Sequence, residues 1–122
     1  MKNFLLLILV FVSTTLNAQN SYKSLWNKVY KDEISLLPKS ALEKVNEIYK
    51  RAEKDKNEVQ KIKALIYQSK FALALTEKAQ LKVTNNFKTA IHTTEDKISK
   101  ALLNSLLAEI YWGYYNQNRW KI

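Results

Sequence analysis

After residue 20, apolar side chains recur every three or four positions almost to the end of the chain. The strict alternation that marks strands is absent. Five helices are predicted. The first, from about residue 21 to 33, carries Tyr22, Leu25, Trp26, Val29 and Tyr30 on one stripe, with Ser21 as its N-cap. Ile34-Ser35-Leu36-Leu37 makes the turn, and Pro38 suits a first helical position, where its missing N–H costs nothing. The second helix, from 38 to about 55, has Ala41, Leu42, Val45, Ile48, Tyr49 and Ala52 on its stripe, and the two small Ala residues permit a close neighbour.

The third helix, from about 58 to 77, presents Ile62, Leu65, Ile66, Ser69, Ala72, Leu73 and Thr76 on one face. Tyr67, Phe71, Ala74 and Leu75 widen its apolar surface to a second side, so it is expected to sit centrally between partners. The fourth, from about 79 to 93, has Val83, Phe87, Ala90 and Ile91, but its Asn and Thr residues lower helix propensity and predict fraying or a break. The fifth is expected from Thr94 to about Gln117, with Thr94-Glu95-Asp96-Lys97 as a near capping box. Its stripe is Ile98, Ala101, Leu102, Ser105, Leu106, Ala108 and Ile110, leading into Tyr111-Trp112-Gly113-Tyr114-Tyr115. Gly113 lets the helix bend or another backbone pass among the rings.

The odd-numbered helices start near residues 21, 58 and 95, an even spacing close to the roughly 34 residues of tetratricopeptide-type repeats. The fold class is therefore all-α: antiparallel helix pairs stacked in a tetratricopeptide-like superhelix. An up-and-down bundle is the alternative.

The start of the chain changes the picture of where this domain works. Lys2 precedes an unbroken apolar run from Phe4 to Val12, followed by small or polar residues up to Ala18. That is the layout of a signal peptide over residues 1–18, although Leu16 stands where a small residue is usual. The run is too short for the roughly 20 residues that span a bilayer, so no stable membrane span is expected after cleavage. The product is exported to the periplasm, cell envelope or extracellular space, with residues 19–122 as its helical domain.

Composition narrows the chemistry. With no Cys, no disulfide can staple the domain. The 20 Lys and Arg against 11 Asp and Glu give a net charge of +9, but the cations are spread along every helix among acidic residues, and export argues against nucleic acid as a partner. His92 is the single histidine, with only Glu95 and Asp96 near it in sequence, too few for a transition-metal site. Glu43 and Glu47 share a helix face beside Lys44, Lys50 and Arg51 and read as solvent-exposed pairs. Glu109 next to the aromatic run is either a buried carboxylate held by a Tyr or Arg119, or a surface group. No nucleophilic triad and no glycine-rich phosphate loop can be drawn. No enzyme, cofactor or metal is expected.

The C-terminal aromatics are the candidate interface. Tyr111, Trp112, Tyr114 and Tyr115 cannot all face one way at 3.6 residues per turn, and Trp120 and Ile122 add apolar surface with nothing after them to pack on. The chain thus reads as the N-terminal fragment of a larger protein. Its partners are downstream domains or another protein, or a second copy by self-association.

Two stretches carry a family resemblance. Tyr22-x-x-Leu25-Trp26 followed by Leu37-Pro38-Lys39-Ser40-Ala41-Leu42 and Ile48-Tyr49, and later Ser105-Leu106-Leu107-Ala108-Glu109-Ile110-Tyr111-Trp112-x-Tyr114-Tyr115-x-x-Asn118-Arg119-Trp120, resemble the helical leader of large exported bacterial alpha-2-macroglobulin family proteins. The resemblance covers residues 19–122 and implies a helical module ahead of many β-sandwich domains in a broad protease trap. The thioester Cys, the bait region and the β-sandwiches of that family are not in this chain. It implies a non-catalytic scaffold within an endopeptidase inhibitor; the alternative is a free-standing exported protein-binding module.

Overall fold

The computed structural model describes residues 21–121, so the segment 1–18 read as a signal peptide lies outside the described residues. Among the described residues the fold is all-α, with five helices: α1 (21–34), α2 (Pro38–Lys54), α3 (Glu58–Leu75), α4 (Gln80–Thr93) and α5 (Lys97–Asn118). A single turn of 3-10 helix, Glu77–Ala79, leads into α4. Consecutive helices joined by such short turns run antiparallel.

The first two turns share one construction. Leu36 and Lys56 adopt left-handed φ values of 56° and 53°. After α1, the Leu37 N–H reaches back to the Asp32 carbonyl at 2.9 Å; after α2, the Asn57 N–H reaches the Ala52 carbonyl at 2.9 Å. Each satisfies a carbonyl left open at a helix end, in the hydrogen-bonding pattern usually closed by glycine. Pro38 then opens α2, and the Asn57 side chain accepts the Gln60 N–H at 3.2 Å to cap α3.

Two hydrophobic clusters make the core, and α3 belongs to both. In the first, Tyr22, Trp26 and Val29 of α1 meet Ala41, Val45, Ile48 and Ala52 of α2 and Ala64 and Phe71 of α3. In the second, Ile62 and Leu65 of α3 meet Val83, Phe87 and Ala90 of α4 and Leu103 of α5, with Leu106, Leu107 and Ile110 packed against them. The apolar residues of α3 sit on two sides because the helix is a wall shared by both clusters.

Polar ties fix the relative positions of the helices. The Tyr22 hydroxyl donates to Asp55 at 2.6 Å, and the Trp26 indole N–H donates to Gln60 at 2.7 Å, so α1 is held to the α2–α3 turn. Asp32 accepts the Ser40 hydroxyl at 2.6 Å and the Lys44 ammonium. The Lys44 and Ser40 bonds hold the Asp32 carboxyl below its ordinary value. Lys70 of α3 pairs with Glu33 of α1.

Several expectations need correction. α4 is continuous from Gln80 to Thr93 despite its Asn and Thr residues, because Val83, Phe87 and Ala90 are buried against α3 and α5. Packing there outweighs propensity. Thr94 does not cap α5. Its hydroxyl donates to Glu58 at 2.8 Å across the molecule, and Asp96 caps α5 by accepting the Ser99 N–H at 2.7 Å. α5 runs without interruption through Gly113, and a Cβ placed there would meet nothing within 4 Å, so no other part of the described chain crosses at that point.

The left-handed turns are testable. An L side chain in this conformation costs on the order of 1–2 kcal/mol, part of which glycine gives back through unfolded-state entropy. Lys56→Gly should raise the urea midpoint by the equivalent of about 0.5–1 kcal/mol at unchanged slope; a lower midpoint would show that Lys56 stabilises by some other contact.

A second test concerns pH. Burial, followed by the hydrogen bond to Asp55, pushes the Tyr22 hydroxyl up to about 12. A raised folded value means the native state holds the proton more tightly than the unfolded chain. The stability linked to it is complete below pH 10 and is lost as pH rises towards 12. Alkaline titration of helicity should therefore show destabilisation in that window, and Tyr22→Phe should flatten part of it; an identical alkaline limb in the two proteins would contradict this account.

Candidate interaction surface

α5 is held by one side only. Leu103, Leu106, Leu107 and Ile110 face α3 and α4. The stripe expected to be core runs along the opposite side instead: Ile98, Ala101, Leu102, Ser105 and Ala108 are exposed, at 81% for Ile98 and 47% for Leu102. By helical periodicity Trp112 and Tyr115 continue this outward face. The sequence stripe had mixed two faces, since Leu106 and Ile110 belong to the inner one. Leu102 and Ile98 are the residues that sequence reasoning assigned wrongly. The available signal was that apolar positions of α5 cover both sides of the helix.

The predicted interface residues stand as follows. Tyr111, Trp112, Tyr114, Tyr115 and Trp120 are all exposed, Trp112 at 65% and Trp120 at 84%. Ile122 lies outside the described residues. Trp112 and Tyr115 stack with ring centroids 5.9 Å apart at 27°. The Lys88 ammonium of α4 lies 5.9 Å from the Tyr111 ring, and Arg119 lies 5.0 Å from the Trp120 ring. The rings divide around the helix. Trp112 and Tyr115 face outward, and Tyr114 lines a groove of about 430 Å³ with Leu73, Glu77, Gln80, Ile110, Gly113 and Gln117. The bare Gly113 backbone helps leave that groove open.

The other charged candidates are scattered. His92 is exposed on α4, Glu43 and Glu47 are exposed on α2, and Glu109 is exposed on α5 at the groove's edge. Among the described residues no three His, Asp or Glu side chains converge as metal ligands. Also among the described residues, no helix is long and apolar enough to cross a membrane. The concentrated feature of this surface is therefore the aromatic and aliphatic outer face of α5. Monomeric proteins seldom leave apolar patches beyond a few hundred Å² uncovered.

Exposure separates the roles of the large side chains. Truncating buried Phe87, 1% exposed, to Ala should cost about 3–5 kcal/mol. Trp112→Ala should change stability by no more than about 0.5 kcal/mol. Equilibrium urea unfolding of the two variants checks this, and a Trp112→Ala loss above about 2 kcal/mol would place that ring in the core.

No family model matches the chain, and neither a curated protein nor a solved structure matches it.

Proposed function

We propose that this chain is a non-catalytic helical docking module, the leader of an exported alpha-2-macroglobulin-like endopeptidase inhibitor, whose domains beyond the helices rest on the outer face of α5. The observation that carries the reading is that face: Ile98, Leu102, Trp112 and Tyr115 are exposed on a helix already anchored by its opposite side. Placed on a well-anchored helix, such a surface can transmit position without chemistry of its own. The run of short-linked antiparallel helices, with α2 packed along α3 and α4 along α5, supports a repeat-like stacking of helices. The apolar run Phe4–Val12 behind Lys2 supports export.

A second reading is a free-standing exported module that binds a separate protein. The groove over Gly113 favours it, since about 430 Å³ of open space beside Tyr114 suits an inserted side chain or segment.

A photo-crosslinking residue at position 112, in the host's own chromosomal copy, tests both readings. A control crosslinker replaces exposed Lys50 on α2. Adducts specific to position 112 and mapped to β-rich sequence on the same polypeptide would support the inhibitor leader. Adducts specific to 112 on one separate protein would support the second reading. Equal labelling from positions 112 and 50, or none from 112, would contradict docking through this face.

A further inference from the structure

Resting on the docking reading of α5, we infer that the occupant of its outer face is a single amphipathic α-helix with carboxylates at both of its ends. Shape is the first observation. The face has large side chains at its ends, Ile98 and Leu102 on one side and Trp112 and Tyr115 on the other. Between Leu102 and Trp112 the same face carries the small exposed residues Ser105 and Ala108 and the exposed carboxylate of Glu109. At 1.5 Å per residue, Ile98 to Tyr115 spans about 26 Å. A face of that length with its large apolar side chains at its two ends suits one helix lying along it, reading out i, i+3, i+4 and i+7 contacts.

Charge is the second observation, and it identifies the chemistry of the occupant. Lys97 and Lys100 stand at the start of α5, and Arg119 and Lys121 stand at its end. All four are exposed, and none pairs with a carboxylate among the described residues, where the ion pairs are Lys44–Asp32, Arg51–Asp55, Lys61–Glu53 and Lys70–Glu33. Lys97 lies one helical turn before Ala101, and Arg119 one turn after Tyr115, so both flank the apolar face itself. Glu109 is the one acidic residue within α5. The face thus has its large apolar side chains towards its ends, the Glu109 carboxylate near its middle, and cations without a carboxylate partner among the described residues at its two ends.

The same charges disfavour a second copy of this chain. Two α5 helices laid parallel bring Lys97 against Lys97 and Arg119 against Arg119. Laid antiparallel, they bring Lys97 against Arg119. Like charges held together across an apolar contact oppose association. A helix with Glu or Asp at its ends meets the cations with opposite charge in either direction.

Two synthetic helical peptides probe this directly. Both carry the same Leu and Ala face over about six turns; one has Glu at both ends, the other Lys. Isothermal titration of the chain should show the Glu-ended peptide binding at least about tenfold tighter than the Lys-ended one, with the advantage shrinking as salt rises. The Leu102→Ala, Trp112→Ala double variant, checked for folding by circular dichroism, should weaken the Glu-ended peptide by about tenfold or more. Equal affinities, no binding of either peptide, or a double variant that binds as wild type would overturn the acidic-helix inference. The crosslink from position 112 would still report separately on whether the face docks at all. Sedimentation showing a dimer that the double variant abolishes would also overturn it, in favour of a second copy.

Discussion

Everything in this fold depends on α3 being buried on two sides. Ala64 and Phe71 close the cluster built by α1 and α2, while Ile62 and Leu65 close the one built by α4 and α5. A small domain with no Cys has no covalent alternative. Neither helix pair could bury its apolar stripe without the shared wall. Three longer-range polar bonds converge on the start of that wall, Tyr22 to Asp55, Trp26 to Gln60 and Thr94 to Glu58, while Lys70 ties its later half to Glu33. Each of the first three joins a helix or turn distant in sequence to the segment where α3 begins.

Helix count, order and approximate bounds were legible because stripes such as Tyr22-Trp26-Val29 and Ala41-Val45-Ile48-Ala52 repeat at helical spacing and are buried as such. The central place of α3 was legible from the width of its apolar surface. Three things were not. The turns at Leu36 and Lys56 are left-handed without glycine, so the usual residue signal is missing. α4 is held by Phe87 and its neighbours in space, which local propensity does not register. Thr94 and Asp96 both resemble N-caps in sequence, and it is the contact with Glu58 that assigns Thr94 another task.

The site was legible in part for a related reason. Periodicity identifies an apolar face but not what lies opposite it, and α5 has two such faces. Leu103 and Ile110 turn inward, where α3 and α4 supply partners. Ile98, Leu102 and Trp112 turn outward, where none of the described helices reaches. The aromatic run could be recognised as too dense for one face, since four rings in five positions exceed one side of a helix. Which rings faced out, and that the aliphatic stripe joined them, required the packing of α5 to be known.

If α3 is the shared wall, the two clusters should open together. Native-state hydrogen exchange measures this directly, because each amide reports the free energy of the opening that exposes it. The account predicts that buried α3 positions such as Leu65 and Ser69 are the most protected. It also predicts that core amides of α1–α2 and of α4–α5 exchange through the same global opening as denaturant rises. Two separate isotherms, one for α1–α2 and one for α4–α5, with α3 no better protected than either, would contradict it.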